Sequence, residues 1–152
     1  MNCQLKNFGL AVYAKSVKIK LLMTREVTVW GLIKKLDALV SEYVRRLEDG
    51  KCYTCGNVKD WKYQEAGHYK GRGNMATRFF LKNIHCQCKI CNQWKGGNLE
   101  VYGEKLVEQY GLGIIEELTI KSSRIKVFDI GELKALIVEF KMKIKELKKV
   151  GK

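Results

Sequence analysis

Two cysteine pairs, Cys52 with Cys55 and Cys88 with Cys91, each have a two-residue gap, and 32 residues lie between the pairs. Two thiolates at that spacing can point from one tight turn at a single metal, and two such turns complete the four sulfur ligands of a closed tetrahedral zinc site. The enclosed stretch is longer than a bare zinc ribbon needs, so the metal would staple together something with content of its own. Both histidines of the chain, His68 and His85, fall inside it. Disulfides or free buried thiols are the alternative. With 29 Lys plus Arg and no secretory leader, the chain reads as cytoplasmic, where disulfides are rare and this spacing more often means metal. Cys3 and Cys86 lie outside both knuckles. Cys86 competes with Cys88 by position, but the Cys88–Cys91 spacing is the better one, which leaves Cys86 as a small apolar or weakly reactive residue.

At 152 residues the chain is the size of one domain, which divides into an N-terminal segment and helix over 1–50, a zinc-bound core over 51–111 and a C-terminal helical segment over 112–152. The net charge of +13 is spread as +4 over residues 1–50, +6 over 51–100 and +3 over 101–152, so no single tail carries it. A folded basic surface of this kind suits nucleic acid, because each phosphate contacted releases counterions and adds affinity. The competing explanation is a surface solvated mainly by lysine. No apolar run is long enough to cross a bilayer, since even 114–120 is broken by Glu116 and Glu117. There is no proline, hence no X-Pro linker between domains.

Apolar residues at Val29, Ile33, Leu36, Val40, Val44 and Leu47 recur every three or four positions and predict a helix over 27–48, with Gly50 as its stop. On it Ser41, Tyr43, Arg45 and Arg46 are either phosphate contacts or ordinary half-buried and solvated residues. Residues 1–24 stay open between strand and helix. Between the knuckles, 61–69 is strand-like, 71–74 is a turn cluster, and 76–81 reads as a second strand ending at Asn83. A helix begins near 93–95, is interrupted at Gly96 and Gly97, and resumes over 99–110 until Gly111. A last helix is capped by Asp129 with Glu132 three residues on, and carries an apolar stripe from Leu133 to Leu147. Its lysines, Lys134, Lys141, Lys145, Lys148 and Lys149, face either a DNA backbone or water. The fold class is therefore α+β: a strand, turn, strand, helix core stapled by zinc and flanked by helices.

The run Cys-x-x-Cys-Gly, Ala-Gly-His-Tyr, Ala-Thr-Arg-Phe, Asn-x-His-x-Gln-Cys-x-x-Cys-Asn and Gly-Asn resembles the bacteriophage NinG family of recombination proteins, which includes Rap. The likeness extends over roughly 41–147, and the specific motifs lie between Cys52 and Tyr102. It implies an HNH-like, ββα-metal nuclease cleaving branched DNA such as Holliday junctions or D-loops. The chemistry is consistent with the residues present. Phosphodiester hydrolysis needs a base to activate water, a divalent metal to stabilise developing charge, and cations to hold the strand in line.

On that resemblance His68 is the general base, Asn92 a ligand of the catalytic metal, and Asn83 the brace of the histidine loop. His85 binds the metal or contacts the scissile phosphate. Arg72 and Arg78 clamp phosphate, with Arg45 and Lys95 as further nucleic-acid contacts. Cys52, Cys55, Cys88 and Cys91 hold the structural zinc. One departure stands out: where many such sites place an aspartate before the base, this chain has Gly67. The catalytic ion then relies on His85, Asn92, Glu65 and water, which leaves Mg²⁺ and Mn²⁺ both open. Branched duplex DNA is the implied partner. Two protomers are expected to act together, with the stripes at 29–47 and 133–147 as candidate contacts between them. The alternatives are an HNH-type endonuclease or nickase on linear duplex, and a non-catalytic zinc module that binds nucleic acid.

Overall fold

The computed structural model describes residues 27–151; the open question over 1–24, and Cys3 with it, lies outside them. The first helix, α1, runs Val29–Leu47 and starts at Thr28, whose Oγ1 accepts the Gly31 N–H at 3.0 Å. Its buried face is Ile33, Leu36, Val40 and Val44, as the three-and-four spacing predicts. The chain leaves the helix through two left-handed residues, Asp49 (φ 50°) and Gly50 (φ 66°). Gly50 is needed there, because a Cβ would collide with the Lys59 carbonyl as the first knuckle folds back.

The last helix, α4 (Ile130–Lys149), begins at Asp129, whose Oδ1 accepts the Glu132 N–H at 2.8 Å. Only this half of the expected capping box is a cap, since the Glu132 carboxylate pairs with Lys126 at 2.5 Å instead. Leu133, Ile137 and Phe140 of α4 pack against the buried face of α1 in one core that also takes in Ile84. Each such side chain contributes about 1.5–3 kcal/mol on burial. The two stripes expected to join protomers are thus spent on each other within one chain.

Two short strands, β1 (Glu65–His68) and β2 (Ile84–Gln87), pair antiparallel with Gly67 opposite His85 and His68 opposite Ile84. The second strand was expected over 76–81, but those residues form turns and a single 3₁₀ turn at Leu81–Asn83. Asn74 Oδ1 accepts the N–H groups of Ala76 and Thr77, which bends the chain where a strand would run straight. The apolar residues that imitate a strand serve two separate cores: Phe79 packs on the α1–α4 cluster and Phe80 on another. That second cluster is built by α2 (Leu99–Tyr110) and α3 (Ile114–Ser122), through Tyr102, Leu106, Ile114 and Leu118.

The hairpin is consequently held on both sides. Ala66 and Ile84 face the α1–α4 core, whereas the Tyr102 hydroxyl reaches across the other side to donate to the Gly67 carbonyl at 3.2 Å. The result is a mixed fold of helices and a small two-stranded sheet, as an α+β chain requires. No described helix is long and apolar enough to cross a membrane.

Candidate metal cluster and cleft

The four knuckle cysteines converge: their Sγ atoms all lie within 4.8 Å of one another, and Cys55 Sγ is 3.7 Å from Cys88 Sγ. A zinc–sulfur bond of about 2.3 Å gives tetrahedral edges near 3.8 Å, whereas a disulfide needs about 2.05 Å. The donor set and spacing therefore fit a zinc ion, and all four thiols are free. Local backbone builds each knuckle. Cys52 N–H donates to the Asn57 carbonyl and Gly56 N–H to the Cys52 carbonyl, both at 2.8 Å, while Cys91 N–H points at Cys88 Sγ at 3.5 Å. Tyr53 N–H donates to the Cys86 carbonyl at 2.7 Å, so the first knuckle is tied to β2. Burial pushes the Cys55 thiol up to about 12. Burial acts the same way on Cys52, but hydrogen bonds from Thr54 and from the Cys88 and Cys55 backbone outweigh it and bring this thiol down to about 6. Cys86 is fully buried and its thiol is pushed up to about 12 by desolvation, which suits an inert residue outside the cluster.

A cleft of about 550 Å³ opens between α1, the hairpin and the second knuckle, lined among others by Ser41, Arg45, Glu65, His68, Arg72 and Asn92. His68 Nε2 lies 3.2 Å from the Arg78 carbonyl oxygen, which can only accept, so Nε2 carries the proton and the neutral ring keeps its lone pair on Nδ1. Burial lowers the His68 pKa, with the Arg72 charge adding to the effect and the bond to Arg78 opposing it. Asn92 stands on a single π-helical turn, Ile90–Trp94, where a helix was expected only from 93. Asn92 Nδ2 donates to Glu65 Oε2 at 2.7 Å and Gln93 Nε2 to Glu65 Oε1 at 2.5 Å. Glu65 and the Asn92 Oδ1 are thus oxygen donors of the kind a hard divalent ion takes.

Asn83 is fully buried and braces the loop after His68: its Oδ1 accepts the Lys70 N–H at 2.7 Å, and its Nδ2 donates to the carbonyls of Lys70 and Thr77. Arg72 is exposed at the cleft rim. Arg78 is not placed as a free phosphate clamp. Its guanidinium grips both oxygens of Asp37 on α1, at 3.0 and 2.6 Å, and also donates to the Arg72 carbonyl. Arg45 spends Nε on the Ser41 carbonyl and Nη1 on the carbonyls of Trp61 and Gln64, holding the approach to β1. Lys95 is exposed just past the π turn.

His85 is not brought to the cleft. It pairs with Gly67 across the hairpin and lies on the opposite face from His68, because neighbouring strand residues alternate sides. There it is 3% exposed, donates from Nδ1 to Glu48 Oε1 at 2.5 Å, and stacks on Tyr53 at 3.8 Å. Glu65, Asn92 and His68 thus line the cleft together, and His85 does not. Gly67 has a steric reason as well: a Cβ there would collide with Gln87 Oε1. Asp37 and Glu48 were missed in the sequence. The available signal was an acid on or just beyond an amphipathic helix, beside its apolar stripe, where solvation alone does not account for it.

The fold and this site define a small α+β protein in which a four-cysteine cluster able to hold zinc fixes a histidine-bearing hairpin against a helix. Residues 13–150 match the family described as Bacteriophage Lambda NinG protein, and the chain belongs to that family. It is 33% identical over 134 residues to "Protein ninG" of Salmonella phage P22 and, equally, to that of Escherichia phage lambda. Identity to the same protein of Escherichia phage 933W is 31%. These matches cover 87% of this chain but only 64–65% of the relatives, so the chain spans less than two thirds of their length. No solved structure matches it.

Proposed function

We propose that this chain is a metal-dependent DNA endonuclease acting on branched recombination intermediates, a Holliday junction or D-loop. The observation that carries the reading is the His68 ring, whose Nε2 is fixed on the Arg78 carbonyl so that Nδ1 is the basic atom, in a cleft shared with Glu65, Asn92 and Arg72. In this reading His68 takes the proton of an attacking water. Glu65 and Asn92 would hold Mg²⁺ or Mn²⁺, which when bound stabilises charge on the phosphate and leaving oxygen. Arg72 and the wider basic surface place the strand, and Asn83 keeps the histidine loop from shifting. The cysteine cluster, with zinc, holds Asn92 and the hairpin in register. Two copies act on one four-way junction, since symmetric cutting needs two sites.

The experiment is cleavage of an end-labelled four-way junction and a matched linear duplex by wild type and His68→Ala, with Mg²⁺, Mn²⁺ or neither. Metal-dependent cuts near the crossover, lost in His68→Ala, are expected. Equal cutting of the linear duplex would move the protein to the nickase class. Tight binding without cuts under either metal would make it a non-catalytic zinc module.

A further inference from the structure

The π turn that carries Asn92 into the cleft has another side. Ile90 and Trp94 are four residues apart on it, about one turn of a π helix, so they share a face, and they are 61% and 81% exposed. Apolar surface this open beside a functional cleft marks a binding surface more often than an accident of composition. Trp61, by contrast, is covered by the Arg46 guanidinium at 3.9 Å from its ring centre. The stretch from Lys89 to Asn98 has no acidic residue, and Lys89 and Lys95, which flank the turn in sequence, are both exposed. A second open ring is linked to this turn through one hydrogen bond. Tyr63, 75% exposed, is two residues before Glu65, and Trp94 is one residue after Gln93, and Glu65 and Gln93 are joined by the 2.5 Å hydrogen bond.

We infer that Trp94, together with Tyr63, is a stacking platform for an unpaired base of DNA held in the cleft. An indole flanked by lysines suits a nucleobase next to phosphates, because ring stacking is tolerant of sequence and the ammonium groups meet the backbone. In a linear duplex the bases are already stacked on one another and offer the ring nothing. At a branch point the continuous stack is interrupted between arms, so a base at the crossover opens more readily onto the ring and the platform selects branched over linear DNA without reading sequence. The inference rests on the nuclease reading only for the location of the scissile strand; base stacking itself needs no cleavage.

The test measures binding in a His68→Ala background, where no cutting intervenes, using a four-way junction with 2-aminopurine at the branch point and the matched linear duplex. Trp94→Ala is expected to weaken junction binding by about tenfold and to abolish the fluorescence change at the branch, while duplex affinity stays within about twofold. Trp94→Phe should retain most junction affinity, and Tyr63→Ala should lose a smaller part of it. Zinc content and thermal unfolding are read on each variant to establish that the fold is intact, as expected for rings this exposed. Unchanged junction affinity and fluorescence in Trp94→Ala would overturn the inference, as would equal losses on both DNAs. If the wild-type protein cuts nothing yet Trp94-dependent junction binding is found, the nuclease reading fails and the platform stands.

Discussion

The Arg78 carbonyl oxygen holds His68 Nε2 at 3.2 Å, and the same Arg78 fastens its guanidinium to Asp37 of α1. The tautomer of a hairpin histidine is therefore set by a loop residue, and that loop residue is set by a helix some forty positions earlier. Asp37 touches no part of the proposed reaction, so it is a positioning residue.

Acidification should switch the site off below pH 6.5, the ordinary histidine value, because burial and the Arg72 charge hold His68 lower. The sign follows from linkage. Between the folded and unfolded pKa values the unfolded chain binds the extra proton, so the neutral buried ring adds to instability as pH falls and costs nothing well above 6.5. A profile of junction cleavage against pH should show its acid limb below 6.5, and Arg72→Ala should move that limb upward. A limb above 6.5 would remove His68 as the base.

Asp37→Asn should weaken both fold and cleavage. It leaves the Arg78 guanidinium, which is 8% exposed, without its charge partner, and breaking such a pair costs about 3–5 kcal/mol when burial is complete, less here because Asp37 is 19% exposed. Thermal unfolding reads the stability loss. The pH profile separates this from a purely structural loss: a displaced Arg78 carbonyl and the missing Asp37 charge both lower the His68 pKa further, so the acid limb moves to lower pH.

Much of this arrangement was legible in advance, for identifiable reasons. Periodicity exposed α1 and α4 because each has one buried stripe, and Cys-x-x-Cys spacing exposed the cluster because a shared metal constrains sequence directly. The second strand was misplaced because Phe79 and Phe80 face different cores, which imitates strand alternation along a turn. The roles of Arg78 and His85 were hidden for another reason. Their partners Asp37 and Glu48 are 41 and 37 residues away, and long-range pairing leaves no local pattern.

Removing zinc should unfold the centre of the molecule rather than only silence it. The knuckles carry Tyr53 against β2 and Asn92 into the cleft, and a structural site of this type supplies folding free energy outright. Cys52→Ser, or a strong chelator, is expected to lower the melting temperature sharply and to remove stoichiometric zinc. A Cys52→Ser protein that kept both would show that the four cysteines are not the ligands.

His85→Phe separates a structural histidine from a catalytic ligand. The phenyl ring can keep the stack on Tyr53 and the edge contact with Tyr102 at 5.8 Å, but it strands Glu48 Oε1, whose sister oxygen still accepts the Cys86 N–H at 2.8 Å. A buried acceptor left without its donor costs about 1–3 kcal/mol, and less here because Glu48 is 22% exposed. Thermal unfolding should fall accordingly, and Glu48→Gln should lose less, because its one oxygen still accepts the Cys86 N–H while its amide can donate to the Nδ1 lone pair of the other His85 tautomer. Titration with Mn²⁺ should give the same affinity in His85→Phe as in wild type, because the ring lies on the far face of the hairpin from His68 and does not line the cleft. A large loss of Mn²⁺ affinity at unchanged stability would instead return His85 to the metal.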